Sequence, residues 1–414
     1  MLRLDVERLE ESWQGQRDDR LELLRRLVDT NSHFDNLPGI DAERAILRPV
    51  FEELGFVVEE LLITPADSPR PRAAHLVARR AGRPGARKAM LIAHLDTVFP
   101  ADEGPSTLRV DGDLLHGPGV GDIKGGVVTI LTAAALLADQ GRLDDLELLV
   151  ALNSDEEVGS HSSRGLLREL AAPCDLALGF EPAFHRPEES VERHSIIQHV
   201  IRRKGCGREF FHLRGVAAHS GGAHDKGASA IEALARKVVD VHALTDYDSG
   251  VTTNVGLVSG GRSVNTVAPV AAGEIDFRFA TAETGEATAR AIKDILQREE
   301  NVNAELGRAV TCELEPGGGV LWPTLEPTSE SEVLSRTVCE ATADLGWEAE
   351  PIARGGASDA ANAAAVGTPA ICGLGPVTHG IHTSTEHSSI PALRAASLIA
   401  AEVLARLSEP PAQG

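Results

Sequence analysis

Histidine and carboxylate side chains recur in this chain at the ends of short apolar runs. "LIAHLDTV" carries His94 and Asp96 two positions apart behind Leu91, Ile92 and Ala93. If that run closes a buried strand, both side chains leave its C-terminal end on one face, because strand side chains repeat every second residue. A metal-binding histidine usually gives its second ring nitrogen to a carboxylate, which fixes the tautomer, so His-x-Asp can supply ligand and orienter together. A structural histidine capped by its neighbour has the same pattern, and the rest of the chain must decide. "GPGVGDIKGG" follows with Asp122 and Lys124 in a glycine-rich turn. It lacks Walker spacing, and Asp122 would repel a phosphate, which argues against a phosphate loop. The run "LELLVALN" leads into "SDEEVGS", where Asp155, Glu156 and Glu157 crowd together. Adjacent residues point to different sides, so one glutamate can ligate while its neighbour faces substrate. "LALGF" delivers Glu181, and "GPVTHGIHTSTEHSSI" offers His379, His382, Glu386 and His387.

A histidine, an aspartate, two glutamates and a further histidine form a nitrogen and oxygen ligand set without sulfur, suited to Zn²⁺, Co²⁺ or Mn²⁺. Such a set is too large for one tetrahedral ion. With one bridging carboxylate it fits two metals ~3.5–4 Å apart, the arrangement of two-metal hydrolases, and an acidic neighbour is left over as general base.

The elements that must position these groups alternate from about residue 20 to 180: helices with short apolar strands, including "AAHLVAR", "AMLIAHL", "LELLVALN" and "LALGFE". That pattern predicts an α/β fold, a catalytic mixed sheet flanked by helices, with sites outside the carboxyl ends of its strands. Around 195 to 312 the pattern changes to strand, helix, strand, strand, helix, which predicts a smaller α+β sandwich. Helix and strand signals of the first kind then return, so the expected domains are 1–194 and 313–414 for the catalytic part and 195–312 for an insertion.

Composition bounds the partners. The chain has 414 residues and a formal net charge of −22, from 62 acidic against 40 basic side chains, which argues against nucleic acid and anionic membrane. No apolar run reaches membrane-spanning length, and the first residues are charged without a secretory apolar core, so a cytoplasmic protein is expected. The five cysteines lack Cys-x-x-Cys spacing and are odd in number, which speaks against a disulfide framework or a thiolate zinc site.

In order along the chain, "AHLDTV", "GPGVGDIKGG", "NSDEEVGS", "FEP", "RKG", "GVAAHSG", "VNTVAP", "DFRF", "GGASDAA" and "GIHTSTEHS" resemble the dinuclear zinc peptidases and deacylases. That family includes glutamate carboxypeptidase, aminoacylase and succinyl-diaminopimelate desuccinylase, and the motifs are most similar to the glutamate carboxypeptidase branch. The resemblance implies an inserted lid that dimerises in many members. It implies that Asp122 bridges two metals, Zn²⁺ first with Co²⁺ or Mn²⁺ possible, with His94 and Glu181 on one and Glu157 and His382 on the other. Asp96 then orients His94, and Glu156 matches the general base. In the lid, His219 resembles a histidine that reaches a partner subunit's site to polarise the scissile carbonyl. Asn265 matches a substrate-binding asparagine, Arg278 an arginine that grips the substrate carboxylate, and Gly356 a donor of backbone amides beside it.

The implied activity is hydrolysis of an amide or peptide bond next to a free carboxylate, in an N-acyl or N-aroyl amino acid or a short peptide. Hydrolysis of another C–N bond with release of ammonia is the alternative within enzymes, and a non-catalytic metal-dependent binding protein is the alternative outside them. Two departures bear on substrate. Ala357 stands where the carboxypeptidase branch often has a third glycine, and "ELEPGGGVLWPTLEP" holds no second arginine for a side-chain carboxylate. His379 and His387 are expected near the site or on the surface rather than as ligands, and Lys124 to pair with nearby acids.

Overall fold

A computed structural model describes residues 3–64, 73–102, 106–186, 195–303 and 307–409. These fall into two compact units, one drawn from Met1–Pro65, Arg70–Arg203 and Leu325–Gly414, the other from Lys204–Thr324. In the first unit a six-stranded sheet runs in the order Val57–Leu61, His75–Arg80, Leu146–Asn153, Arg87–His94, Leu176–Gly179, Ala370–Ile371. The last four pair in parallel, and the first two join antiparallel.

The parallel strands are apolar and buried along almost their whole length because helices cover both faces. Their alternation divides two cores: Leu91, Ala93, Leu148 and Val150 face one, and Met90, Ile92, Leu149 and Ala151 the other. The first core is closed by Lys124–Asp139, apolar from Gly125 to Ala138 apart from two threonines, and Ile390–Leu407, whose only charged residues are Arg394, Glu402 and Arg406; both are buried along nearly their whole length. Both central parallel strands follow the same logic, so removing a methylene-rich side chain such as Leu91 opens a void the sheet has no means to refill.

The second unit is an antiparallel sheet in the order Thr252–Gly260, Val270–Phe279, Gly205–Arg214, Arg308–Leu314, Glu300–Asn303, with Gly319–Trp322 also paired to Gly205–Arg214. Helices Ala230–His242 and Ala282–Gln297 bury Ala233, Leu234, Ile292 and Leu296 against Phe211, Ile275 and Phe277. The strand-rich stretch expected from 195 divides at Arg203. Ile196–Arg203 pairs with Glu348–Arg354 and Phe184–Arg186 in a three-stranded sheet of the first unit. At the other end the second unit continues past 312, because Gly319–Trp322 hydrogen-bonds to Gly205–Arg214. Among the described residues no helix is long and apolar enough to cross a membrane.

His199, on Ile196–Arg203, is buried among Val338, Ala392 and Ala396, with Nε2 2.7 Å from Ser335 Oγ. Burial pushes its imidazole down to about 4 from 6.5. As pH falls between those values the unfolded chain binds a proton that the folded chain refuses, so acidification through this window disfavours the fold by about 3 kcal/mol. In chemical denaturation of metal-free protein, wild type is expected to lose more stability than His199→Gln between pH 6.5 and pH 4. Equal losses would show that His199 does not couple protonation to folding.

Candidate metal centre

The chain leaves Arg87–His94 for Leu146–Asn153 on one side and then crosses to Leu176–Gly179 on the other, so His94 ends the strand at which the order reverses. A crevice opens outside the strand ends at such a point. His94, Glu156 and Glu157 just past Asn153, and Glu181 just past Gly179 all reach it. Asp122 arrives from the turn before helix Lys124–Asp139, and His382 from the turn around Gly380–Thr383. His382 has φ 63, a left-handed backbone that a non-glycine residue adopts at a cost of about 1 kcal/mol or more.

His94, Asp122 and Glu181 form one cluster of potential ligands, and Asp122, Glu157 and His382 another. His94 Nε2 stands 3.2 Å from Asp122 Oδ1 and 3.9 Å from Glu181 Oε1. His382 Nε2 stands 3.3 Å from Asp122 Oδ2 and 3.3 Å from Glu157 Oε2. The two oxygens of Asp122 thus serve different clusters, as a bridging carboxylate must. Ligand atoms at ~2.1 Å from a tetrahedral ion lie roughly 3.4 Å from one another, so these spacings fit metal coordination. Asp122 Oδ1 and Glu157 Oε1 are moreover buried without a hydrogen-bond partner among the described residues. An orphaned buried carboxylate oxygen is costly, and a cation would satisfy it.

The electrostatics are those of crowded acids. Burial, then Asp122, raise the Glu181 carboxyl to about 7, against the pull of His94 and Arg203. Burial also lifts Glu156 well above the carboxylate range, and Glu181, Asp359 and Glu157 add to it while His94 opposes. For Asp122 burial works against the anion, but His382 and His94 outweigh it and hold its carboxyl well below the usual range.

Residues 90–407 match the model of peptidase family M20/M25/M40. The chain belongs to that family. It is 27% identical over 398 residues to carboxypeptidase G2 of Pseudomonas sp. (strain RS-16), covering 93% of this chain and 88% of that one. It is 28% identical over 296 residues to a succinyl-diaminopimelate desuccinylase of Novosphingobium aromaticivorans, covering 68% and 74%. Its fold is similar to the crystal structure of a tripeptidase from Staphylococcus aureus, with a TM-score of 0.73, 22% identity and coverage of 98% and 100%. As an M20 protein the chain is a metal-dependent hydrolase of peptide or amide bonds.

Asp96 has a geometry that its spacing did not foretell. His94 Nδ1 lies 2.9 Å from the Asp96 main-chain carbonyl and 3.6 Å from its carboxylate. The carboxylate instead accepts from the amides of Glu156 at 3.1 Å and Glu157 at 2.9 Å. Two converging N–H donors hold an anion better than one imidazole can, so the acid is drawn to the neighbouring strand end. Lys124 pairs with Glu43 at 2.8 Å and donates to the carbonyls of Leu27 and Thr30. His379 exchanges main-chain hydrogen bonds with His387, and their rings stack 5.2 Å apart, outside both ligand clusters.

Three site neighbours escaped the sequence. Arg203 is buried, donates from Nη1 to the carbonyls of Gly356 and Ala357 at 3.2 Å each, and acts electrostatically on Glu181 and Glu156. Asp359 accepts from Ser160 Oγ and Asn153 Nδ2 at 2.7 Å each. His75 contacts Ser154 and Ser162 of the acidic turn. Arg203 and Asp359 lie in the quoted motifs "RKG" and "GGASDAA", a signal of place but not of role. Gly356 is exposed, and its carbonyl is engaged by Arg203.

The other expected residues lie in the second unit. His219 and Asn265 sit side by side: Ser220 N donates to Asn265 O at 3.0 Å, and His219 bridges to Thr266. His219 Nδ1 accepts from the amides of Gly221 at 3.1 Å and Gly222 at 3.0 Å. That places the ring proton of the neutral form on Nε2, leaving a donor at the exposed edge. Arg278 is paired bidentately with Asp276, Nε to Oδ1 at 2.9 Å and Nη2 to Oδ2 at 3.0 Å, two residues back on the same strand face.

Because Asp96 holds both amides of the turn that carries Glu156 and Glu157, Asp96→Ala is expected to weaken metal binding by roughly 10–100-fold. Chelator competition on the purified variant measures this, and unchanged affinity would remove Asp96 from the centre.

Proposed function

We propose that the protein hydrolyses an amide or peptide bond adjacent to a free carboxylate, releasing an amino acid from an N-acyl or N-aroyl group or a short peptide. The single observation that carries this reading is the split of Asp122 between two ligand clusters with Glu156 beside them. His94 and Glu181 would hold one ion, Glu157 and His382 the other, and the donor set suits Zn²⁺, with Co²⁺ or Mn²⁺ as substitutes. Two such ions supply Lewis acidity and a water deprotonated near neutral pH.

Glu156 takes the proton of the attacking water and returns it to the nitrogen of the leaving amine as the C–N bond breaks and the new C–O bond is completed. Burial lifts its carboxyl, the direction that favours holding the proton between the two acts. His219 of the partner subunit would donate from Nε2 to the oxygen on which charge develops. Asn265 and the amides around Gly356 would orient the substrate, and Arg278 would grip its carboxylate, with Nη1 as the nitrogen that Asp276 does not use. The similarity to carboxypeptidase G2 supports release of a carboxylate-bearing amino acid, and that to succinyl-diaminopimelate desuccinylase supports an acyl group on the nitrogen that is released.

We further infer a homodimer through the second unit. Strand Thr252–Gly260 lies at the sheet edge, and Leu257 and Val258 are 62% and 59% exposed. An unpaired edge carrying apolar side chains invites pairing with a second copy.

Glu156→Gln is expected to abolish turnover while both metals remain, whereas Asp122→Ala loses metal. Metal analysis by mass spectrometry with amino-acid and ammonia release from N-acyl amino acids, dipeptides and aryl amines checks both. Ammonia without amino acid would move the protein to other C–N bonds, and a metal-free protein under all conditions would remove the reading. Leu257→Lys with Val258→Lys is expected to give monomers by light scattering, and mixed dimers of His219→Ala and Glu156→Gln chains to regain about one active site per pair. A wild-type monomer would refute the dimer.

A further inference from the structure

The glycine-rich turn Gly117–Asp122 presents its amides to an anion, as a phosphate loop would, but the anion is a side chain of the same protein. Glu386 is buried, and its carboxylate accepts from Gly119 N at 3.2 Å through Oε2 and from Gly121 N at 2.9 Å and Asp122 N at 3.1 Å through Oε1. Its main-chain carbonyl accepts from Gly117 N at 3.4 Å. Gly119 has φ +70, and a Cβ on Gly121 would strike the Thr378 side chain, so the turn keeps this shape only with glycine at both positions. Successive amides turned toward one point form an anion-binding concavity.

Glu386 also closes the turn that carries His382. Its amide donates to Thr383 O at 3.1 Å, and Thr383 N to Gly380 O at 3.0 Å, around the left-handed backbone of His382. One carboxylate therefore ties the turn bearing Asp122 to the turn bearing His382, although Glu386 and Asp122 are 264 residues apart in sequence.

We propose that Glu386 is a positioning residue of the metal centre: by accepting from the amides of the Gly117–Asp122 cradle, it sets the Asp122 carboxylate between His94 and His382 before any metal binds. The proposal rests on the two-metal reading for its effect on metal, and on the cradle alone for its effect on the loop. Neither lysine nor arginine contacts Glu386 in any described ion pair, so the backbone amides bear the charge. Glu386→Gln keeps the shape, but its NH₂ group would meet an amide donor where an acceptor is needed.

Two measurements decide it. In metal-free wild type, the amides of Gly119, Gly121 and Asp122 are expected to be protected from hydrogen–deuterium exchange, and Glu386→Gln to lose that protection. Free exchange in wild type would overturn the proposal even if every variant misfolds. In folded Glu386→Gln, Zn²⁺ affinity by chelator competition is expected to fall roughly 10–100-fold and the Co²⁺ absorption spectrum to change, with Glu386→Ala falling at least as far. Affinity within twofold and an unaltered spectrum would overturn it. If wild type binds no metal, the two-metal reading fails, while the exchange data still judge the cradle.

Discussion

Asp122, Glu156, Glu157 and Glu181 are carboxylates brought into one crevice; burial opposes the ionisation of all four, and neighbouring acids add to it at the three glutamates. Anions gathered this closely persist only with compensating positive charge and directed hydrogen bonds. His94, His382 and the buried guanidinium of Arg203 supply part of that charge. Glu157 Oε1, buried without a hydrogen-bond partner among the described residues, marks where the compensation is incomplete. In an M20 hydrolase this is the chemical space of the metals.

The fold meets this constraint with acids that hold backbone rather than substrate. Asp96 collects the amides of Glu156 and Glu157, and Glu386 collects those of Gly119, Gly121 and Asp122. In each case a carboxylate on one strand end or turn accepts from the amides of a neighbouring turn, one carrying Glu156 and Glu157 and the other Asp122. The Lys124–Glu43 pair does similar work on the far side of Asp122, joining the start of its helix to the carbonyls of Leu27 and Thr30. These contacts explain how ligands on separate turns can be held in place where a loop alone would drift.

The second unit shows a different balance. Arg278 is engaged by Asp276 through Nε and Nη2. His219 is exposed, and its Nδ1 accepts from the amides of Gly221 and Gly222.

Much of this was legible in the residues themselves. The strand Leu146–Asn153 coincides with the run "LELLVALN", and the long buried helices follow their apolar pattern, because a sheet covered on both faces demands continuous apolar stretches. His94, Glu157 and Glu181 stand out because polar groups following such runs lie at strand ends, whereas Asp122 and His382 sit on turns and are singled out as ligands only by the family resemblance. Val57–Leu61 and Glu348–Arg354 escaped: both are edge strands rich in exposed or charged positions, and Pro351 breaks the usual strand signal. The division of the domains at Arg203, the true partners of Asp96, and the service of Glu386 to a turn 264 residues away were decided only by tertiary structure. Local sequence determines which side chains leave a strand end and in which direction, but which donors a carboxylate meets there depends on segments that chain folding alone brings within hydrogen-bond reach.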